Sequence, residues 1–157
     1  KGRADMRASA LRYEGFQAAL SAAGLALDTA LVQQGDYTYR SGLKAGGRIL
    51  AHKRPPTAII ASNDDMAAAV VSVAHRRGLD VPRDLAVVGF DDSSSAITVW
   101  PELTTIHQPI AAMANAAIDI LLRTIRDKDG GTRALVDQVM PHRLVVRDSA
   151  AAPARRG

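Results

Sequence analysis

Apolar residues recur along this chain in two patterns, at helical spacing over long stretches and nearly continuously over short ones. Between residues 8 and 23, Leu11, Phe16, Ala19, Leu20 and Ala23 share roughly one face, Arg12 and Gln17 point outward, and Gly24 sits where a left-handed terminating residue belongs. This predicts a first helix. Ala30 to Gln34 reads as a short strand, followed by a Gly35-Asp36-Tyr37 turn that sets an aromatic at its carboxyl end. Ser41 to His52 predicts a second helix with Leu43, Ile49 and Leu50 inward. Its Gly46-Gly47 pair costs about 1 kcal/mol per glycine unless a neighbouring element approaches closely. Lys53-Arg54-Pro55-Pro56 breaks that helix, and Thr57 to Ala61 predicts a strand stopping at Ser62-Asn63-Asp64. Met66, Val70, Val73 and Ala74 then mark a third helix from about Asp65 to Arg77, with Gly78 after it.

The apolar run Leu85-Ala86-Val87-Val88 ends in Gly89-Phe90-Asp91-Asp92 and predicts a buried strand that delivers carboxylates to a sheet edge. Leu103 to Ile106 is a second β-prone run, closed by Gln108-Pro109 because proline cannot donate to a ladder. It reads as a crossover between two bodies. Beyond Pro109, Ile110, Met113, Ala114, Ala117, Ile118, Leu121, Leu122 and Ile125 make a wide apolar arc on a long helix, ended by Lys128-Asp129-Gly130-Gly131. Ala134 to Val139 and Leu144 to Val146 predict two short strands split by Pro141, and residues 150–157 read as a frayed tail. Strands and helices alternate at βα-unit spacing, which argues an α/β fold with a doubly wound parallel sheet.

Composition narrows the function classes. The net charge of +4 is supplied by Lys1, Arg3, Arg155 and Arg156; without them 16 cations face 16 carboxylates. A nucleic-acid surface needs clustered cations on one face, so contact with DNA through these residues is not expected. No run approaches membrane-span length, no export signal is visible, and the absence of cysteine removes disulfide and thiolate chemistry. His52, His75, His107 and His142 lie in different elements without metal-ligand spacing and read as surface or capping residues. There is no nucleophile elbow and no phosphate-binding glycine loop, so neither catalysis nor a cofactor is expected.

Three predicted strands end in polar or aromatic groups, at Asp36-Tyr37, Ser62-Asn63-Asp64 and Asp91-Asp92. In open α/β sheets ligands bind beyond the carboxyl ends of the strands, so these groups are expected to converge on one cleft suited to a small molecule. Asn63 or Asp64 equally reads as the N-cap of the third helix, and Tyr37 alone as packing. Asp91 stands out as functional, since a carboxylate after four apolar strand residues and Gly-Phe has no evident solvated face. Asp92 with Ser93-Ser94-Ser95 reads as turn or cap chemistry.

Taken together, Arg12-Tyr13-Glu14-Gly15-Phe16, Gly35-Asp36-Tyr37, Pro56-Thr57-Ala58-Ile59, Asn63-Asp64 with Met66-Ala67, Val81-Pro82, Val88-Gly89-Phe90-Asp91, Leu103-Thr104-Thr105-Ile106, Gln108-Pro109 and Leu144-Val145-Val146-Arg147 resemble motifs of the LacI/GalR family of transcriptional regulators. The resemblance covers nearly the whole chain. It implies the C-terminal part of an effector-binding core shaped like a type I periplasmic binding protein lobe, plus a piece of a second lobe. Residues 1–106 would form the C-terminal lobe, 107–140 a crossover, helix and strand of the N-terminal lobe, 141–149 a return strand, and 150–157 a disordered tail.

By the same resemblance Tyr37 stacks on the effector, Asn63 makes a polar contact, and Asp91 binds effector hydroxyls or ring nitrogens. Family members often carry an effector-touching arginine and hydroxyl near the start; Met6 and Ala8 align there, with Arg7 as a substitute cation. The implied partners are a sugar-like or nucleobase effector, a second copy of the chain, and operator DNA through an N-terminal helix-turn-helix absent from these residues. The implied setting is the cytoplasm, without a membrane. An exported sugar-binding protein of a transport system is the alternative.

Overall fold

The computed structural model describes residues 1–126 and 138–150. Its helices are α1 (Arg7–Ala22), α2 (Tyr39–Leu50), α3 (Asp64–Arg76), α4 (Ser94–Thr98) and α5 (Ile110–Arg126), and its strands are β1 (Ala58–Ile60), β2 (Ala86–Val88), β3 (Thr105–His107) and β4 (Arg143–Val145). The expected elements are thus present within a few residues, with two exceptions. Ala30 to Gln34 is not a strand. There the Asp28 carboxylate accepts from Ala30 N at 2.9 Å and holds Thr29–Leu31 as a 3₁₀ turn, a local bond that competes with any ladder. The second exception is α4, which begins after Ser93 where the triple serine suggested only a turn or cap. The strand expected from Ala134 falls mostly outside the described residues, as do the glycine stop of α5 and all but the first residue of the expected tail.

Helix α3 is the centre of the fold. Met66, Ala67, Ala68, Ala69, Val70, Val71, Val73 and Ala74 are all buried, so this helix is apolar nearly all round, as a helix enclosed on every side must be. Asn63 caps it, accepting from Met66 N at 3.0 Å, and Asp64 and Asp65 lie in the first turn where the helix dipole favours anions. On one side α2 presents Gly42, Ala45, Gly46 and Ile49 to it. A Cβ on Gly42 would lie 2.7 Å from Ala69 Cβ, and one on Gly46 3.2 Å from Val70 Cγ2, whereas Gly47 faces open space. The close neighbour that justifies the Gly46 position is therefore α3. On the other side lie Leu85, Val87 and Leu103, each fully buried.

β1 and β2 pair in parallel with Ala58 opposite Ala86, and the chain beyond β2 continues parallel to β3, through Gly89 N to Thr104 O and Asp91 N to Ile106 O, both 2.9 Å. β4 returns antiparallel on β3, Val145 opposite Thr105. The segment after it is stitched into the sheet by Ser149, whose buried hydroxyl donates to Val87 O at 2.6 Å and accepts from Thr104 N at 2.8 Å.

α1 behaves differently from the expectation. Leu11, Ala19 and Ala23 are exposed and only Ser9 of this helix is buried, while Phe16 and Leu20 face a cavity of about 630 Å³ shared with Ile49, Met66 and Phe90. With residues 30–34 not in the sheet, α1 has no strand beneath it to close that space. α5 has no buried residue, and Ile110, Ile118, Leu121 and Ile125 are each more than half exposed. No described helix is long and apolar enough to cross a membrane.

Gly42→Ala is expected to push α2 off α3 and to lower unfolding stability by about 1–3 kcal/mol, the usual cost of overpacking a tight contact. Gly47→Ala, which meets nothing, should be neutral or stabilising by up to about 1 kcal/mol. Urea unfolding of the two variants side by side reads the difference.

Candidate functional site

The site forms where β2 runs out. Gly89 has no side chain to spare: a Cβ there would lie 2.2 Å from Asp64 Oδ1. Asp64 is fully buried in that gap and accepts from Thr105 Oγ1 at 2.6 Å and from Ser93 N at 2.7 Å. It ties the start of α3 to β3 and to the loop after Asp91. That loop is held in backbone conformations that side chains disfavour. Among the described residues the non-glycine positions with positive φ are Tyr37 (71°), Asp91 (114°) and Asp92 (57°), all at this edge. Such conformations cost about 1–3 kcal/mol each and persist where the surroundings over-determine them, often at ligand sites.

Arg12 joins the pieces. It reaches from α1 to donate to Ser62 O and, at 3.4 Å, to Asp91 Oδ1, while its guanidinium lies 3.7 Å from the Phe90 ring centroid and 5.7 Å from that of Tyr37. Gln108 Nε2 donates to the same Asp91 oxygen at 2.6 Å. Burial pushes the Asp91 carboxyl pKa up, and the Arg12 charge and the Gln108 hydrogen bond pull against that rise without cancelling it. Both side-chain hydrogen bonds to Asp91 among the described residues fall on Oδ1, none falls on Oδ2, and Asp91 lines a cavity of about 560 Å³ together with His107, Gln108 and the first turn of α5.

The larger cavity beneath α1 is mostly apolar, with Lys1, Arg12, Asp28, Gln33 and Ser62 also on its wall, and contains neither Asp91 nor Asn63. Arg12 and Ser62 connect this cavity to the strand edge, where Asp91 lies. The Asn63 carboxamide is largely committed, its oxygen to the α3 cap and one N–H to Tyr37 O at 2.9 Å; one N–H remains. The Tyr37 hydroxyl is buried and makes no hydrogen bond among the described residues, its end of the ring abutting Gly2.

Asp92 supports this edge from behind. Arg147 holds it at 2.7 Å and the His107 ring at 2.9 Å, and Arg147 also donates to Leu103 O at 2.9 Å and approaches Glu102 at 3.5 Å. Arg147, and after it His107, keep the Asp92 carboxyl below the ordinary carboxylate range. Asp92 is thus an ion-pair centre rather than a cap, and His107 is its partner rather than a surface residue.

Of the residues expected at the site, Asn63 is hydrogen-bonded to Tyr37 O and Asp91 is linked to Tyr37 through Arg12, while of the three only Asp91 lines one of the two cavities. Met6, Arg7 and Ala8 are exposed on the entry and first turn of α1, and no side chain among them makes a hydrogen bond with the described residues. Arg12 and Gln108 complete the cluster, and Arg12 points inward, against expectation. The sequence did carry a signal: Arg12, Phe16 and Leu20 stand four residues apart on one helix face, and a cation on an apolar face requires a carboxylate. No group of three or more His, Asp or Glu side chains able to hold a metal occurs among the described residues.

Residues 1–150 match the model of the periplasmic binding protein-like domain. The ribose operon repressor of Escherichia coli K12 is 38% identical over 124 residues, covering 79% of this chain and 38% of that protein. A transcriptional regulator CelR–cellobiose complex superposes with a TM-score of 0.88 at 37% identity, covering 95% of this chain and 45% of that one. A sugar-binding transcriptional regulator of the LacI family from Escherichia coli, complexed with phosphate, gives a TM-score of 0.84 at 33% identity over 97% of this chain and 53% of that one. The chain spans 38% to 41% of the length of curated relatives it matches.

Arg12→Met removes the main group that opposes the burial effect at Asp91, so the Asp91 carboxyl should titrate at a still higher pH, while Asp92, held by Arg147, should stay low. Carboxyl-carbon NMR titration of both residues checks this; an unmoved Asp91 would contradict the coupling.

Proposed function

The chain belongs to the family of periplasmic-binding-protein-like domains, within the LacI-type transcriptional regulators, and from that membership we propose that it is the effector-binding part of a DNA-binding repressor. The observation that carries the reading is Asp91: a partly buried carboxylate held at φ 114° on the wall of a cavity, with one oxygen fixed by Arg12 and Gln108 and no hydrogen bond on the other among the described residues. Strain and desolvation at one carboxylate are hard to account for as packing alone. Asp91 is the anchor, Tyr37 the aromatic wall, Asn63 the supporting amide, and Arg12 and Gln108 the groups that aim Asp91. Arg7, with Met6 and Ala8, flanks the entrance.

Operator DNA is contacted by residues outside this chain, since charge within it is balanced once the terminal cations are set aside. Residues 107–140 belong to a second lobe. Support for this division comes from α5, which buries nothing here although its arc is apolar, and from the antiparallel β3–β4 pair, which carries the chain out past His107 and back at Arg143. Paired copies and a cytoplasmic setting complete the proposal, which assigns no catalysis to the site.

Asp91→Ala in the full-length protein is expected to weaken effector binding by tenfold or more, the loss of hydrogen bonds to a charged group being worth about 1.5–3 kcal/mol. Titration calorimetry measures it. Unchanged affinity would remove Asp91 from the site and the reading with it.

A further inference from the structure

We propose that the far end of the lobe, where α2 and α3 finish, is a docking surface for an acidic protein segment that also carries apolar side chains. This surface lies about 20 Å from Asn63, the length of the 13-residue α3, and is separate from the strand edge that holds Asp91.

The two helices end together, because Arg77 Nη1 donates to Leu50 O at 2.5 Å and Nη2 to Gly47 O at 3.0 Å. Around that junction stand five more exposed cations: Lys44 and Arg48 one turn apart on α2, Lys53 and Arg54 just past its end, and Arg76 as the last residue of α3. Residues 37–63 and 66–79 contain no Asp or Glu. Among the described residues none of the five cations forms an ion pair. Helix C-termini do attract cations, but each end carries only about half a negative charge, so the two together amount to about −1. Arg77, seated on the carbonyls of α2, supplies that much alone, and the fold leaves the other five uncompensated. Set aside, they leave 15 Lys and Arg facing 16 Asp and Glu in the rest of the chain, so charge is segregated to this end rather than evenly spread.

Three of the five are arginines, whose guanidinium groups bind carboxylates through paired hydrogen bonds. Two features select a protein over a nucleic acid. Apolar groups interleave with the cations, Ala51 and Pro55 exposed and Pro56 and Leu79 half-buried, and apolar side chains of a protein can cover these where a phosphate backbone cannot. Residues 43–57 and 75–79 contain no Phe, Tyr or Trp on which a base could stack, and no described helix starts here to offer a phosphate its N-terminus.

The test is fluorescence anisotropy of the full-length protein with a labelled peptide of Glu-Glu-Leu repeats, at low and high salt, repeated with duplex DNA of arbitrary sequence as the probe. The peptide should bind, and Arg48→Gln combined with Arg54→Glu should weaken it by about tenfold or more, as should high salt. Arg54 lies beyond the end of α2, so its substitution leaves both helices intact, which circular dichroism checks. Arg40→Glu, a charge reversal at the exposed opposite end of α2, should leave peptide affinity nearly unchanged. A peptide that does not bind, binding that ignores salt, or an equal loss with Arg40→Glu overturns the proposal. Duplex binding that falls with the Arg48 and Arg54 substitutions as far as peptide binding does also overturns it, and assigns the surface to nucleic acid.

Discussion

The arrangement depends on where Arg12 points. Among the described residues its guanidinium joins all three strand-edge segments, through Ser62 O beside Asn63, the Asp91 carboxylate, and the Phe90 and Tyr37 rings. Burying most of that cation is tolerable only because a carboxylate, a carbonyl and an aromatic face replace its water. The same contacts let Asp91 remain near an apolar core as an anion. α1 contributes little other burial, so the helix is fastened to the lobe chiefly through this polar cluster. A ligand that engages Asp91 therefore acts on the attachment of α1 as well as on the sheet edge.

Rigidity behind the site has a separate source. Asp64 fills the space that Gly89 leaves and binds β3 and the loop at Ser93, while Asp92, His107 and Arg147 tie that loop to the outgoing and returning strands. Two ion-pair and hydrogen-bond systems thus hold the loop whose Asp91 and Asp92 have positive φ, and the Asn63 amide holds Tyr37 O. Neighbouring carboxylates are driven in opposite directions, Asp91 upward by burial and Asp92 downward by Arg147, which separates the proposed ligand anchor from a carboxylate that holds structure.

Much of this was legible from residue order. Periodicity located α1, α2, α3 and α5, because those helices have apolar faces or glycine stops, and the strand before Gly89 was marked by its β-branched run. Placement of Tyr37, Asn63 and Asp91 at strand ends was an expectation from a general property of open sheets, of which the cavities take in Asp91 alone, and the family membership inferred from short motifs matches the comparison with known domains. What was missed is long-range. Arg12 was placed outward because Leu11 was counted on the buried face, yet Leu11 is 51% exposed and the true register runs Arg12, Phe16, Leu20. The 30–34 segment had strand propensity but no partner strand, a fact no local window contains. Asp92, Arg147 and His107 are up to 55 residues apart, so their pairing leaves no spacing signature.

A crystal structure of the full-length protein with its bound effector tests the central claim most directly, namely that Asp91 is aimed by Arg12 and Gln108 with one oxygen kept for the ligand. The account predicts that Oδ1 keeps its contacts with both residues while Oδ2 lies within hydrogen-bond distance of a donor group of the ligand. A ligand that binds Arg12 directly, with Asp91 turned away from it, would contradict the account.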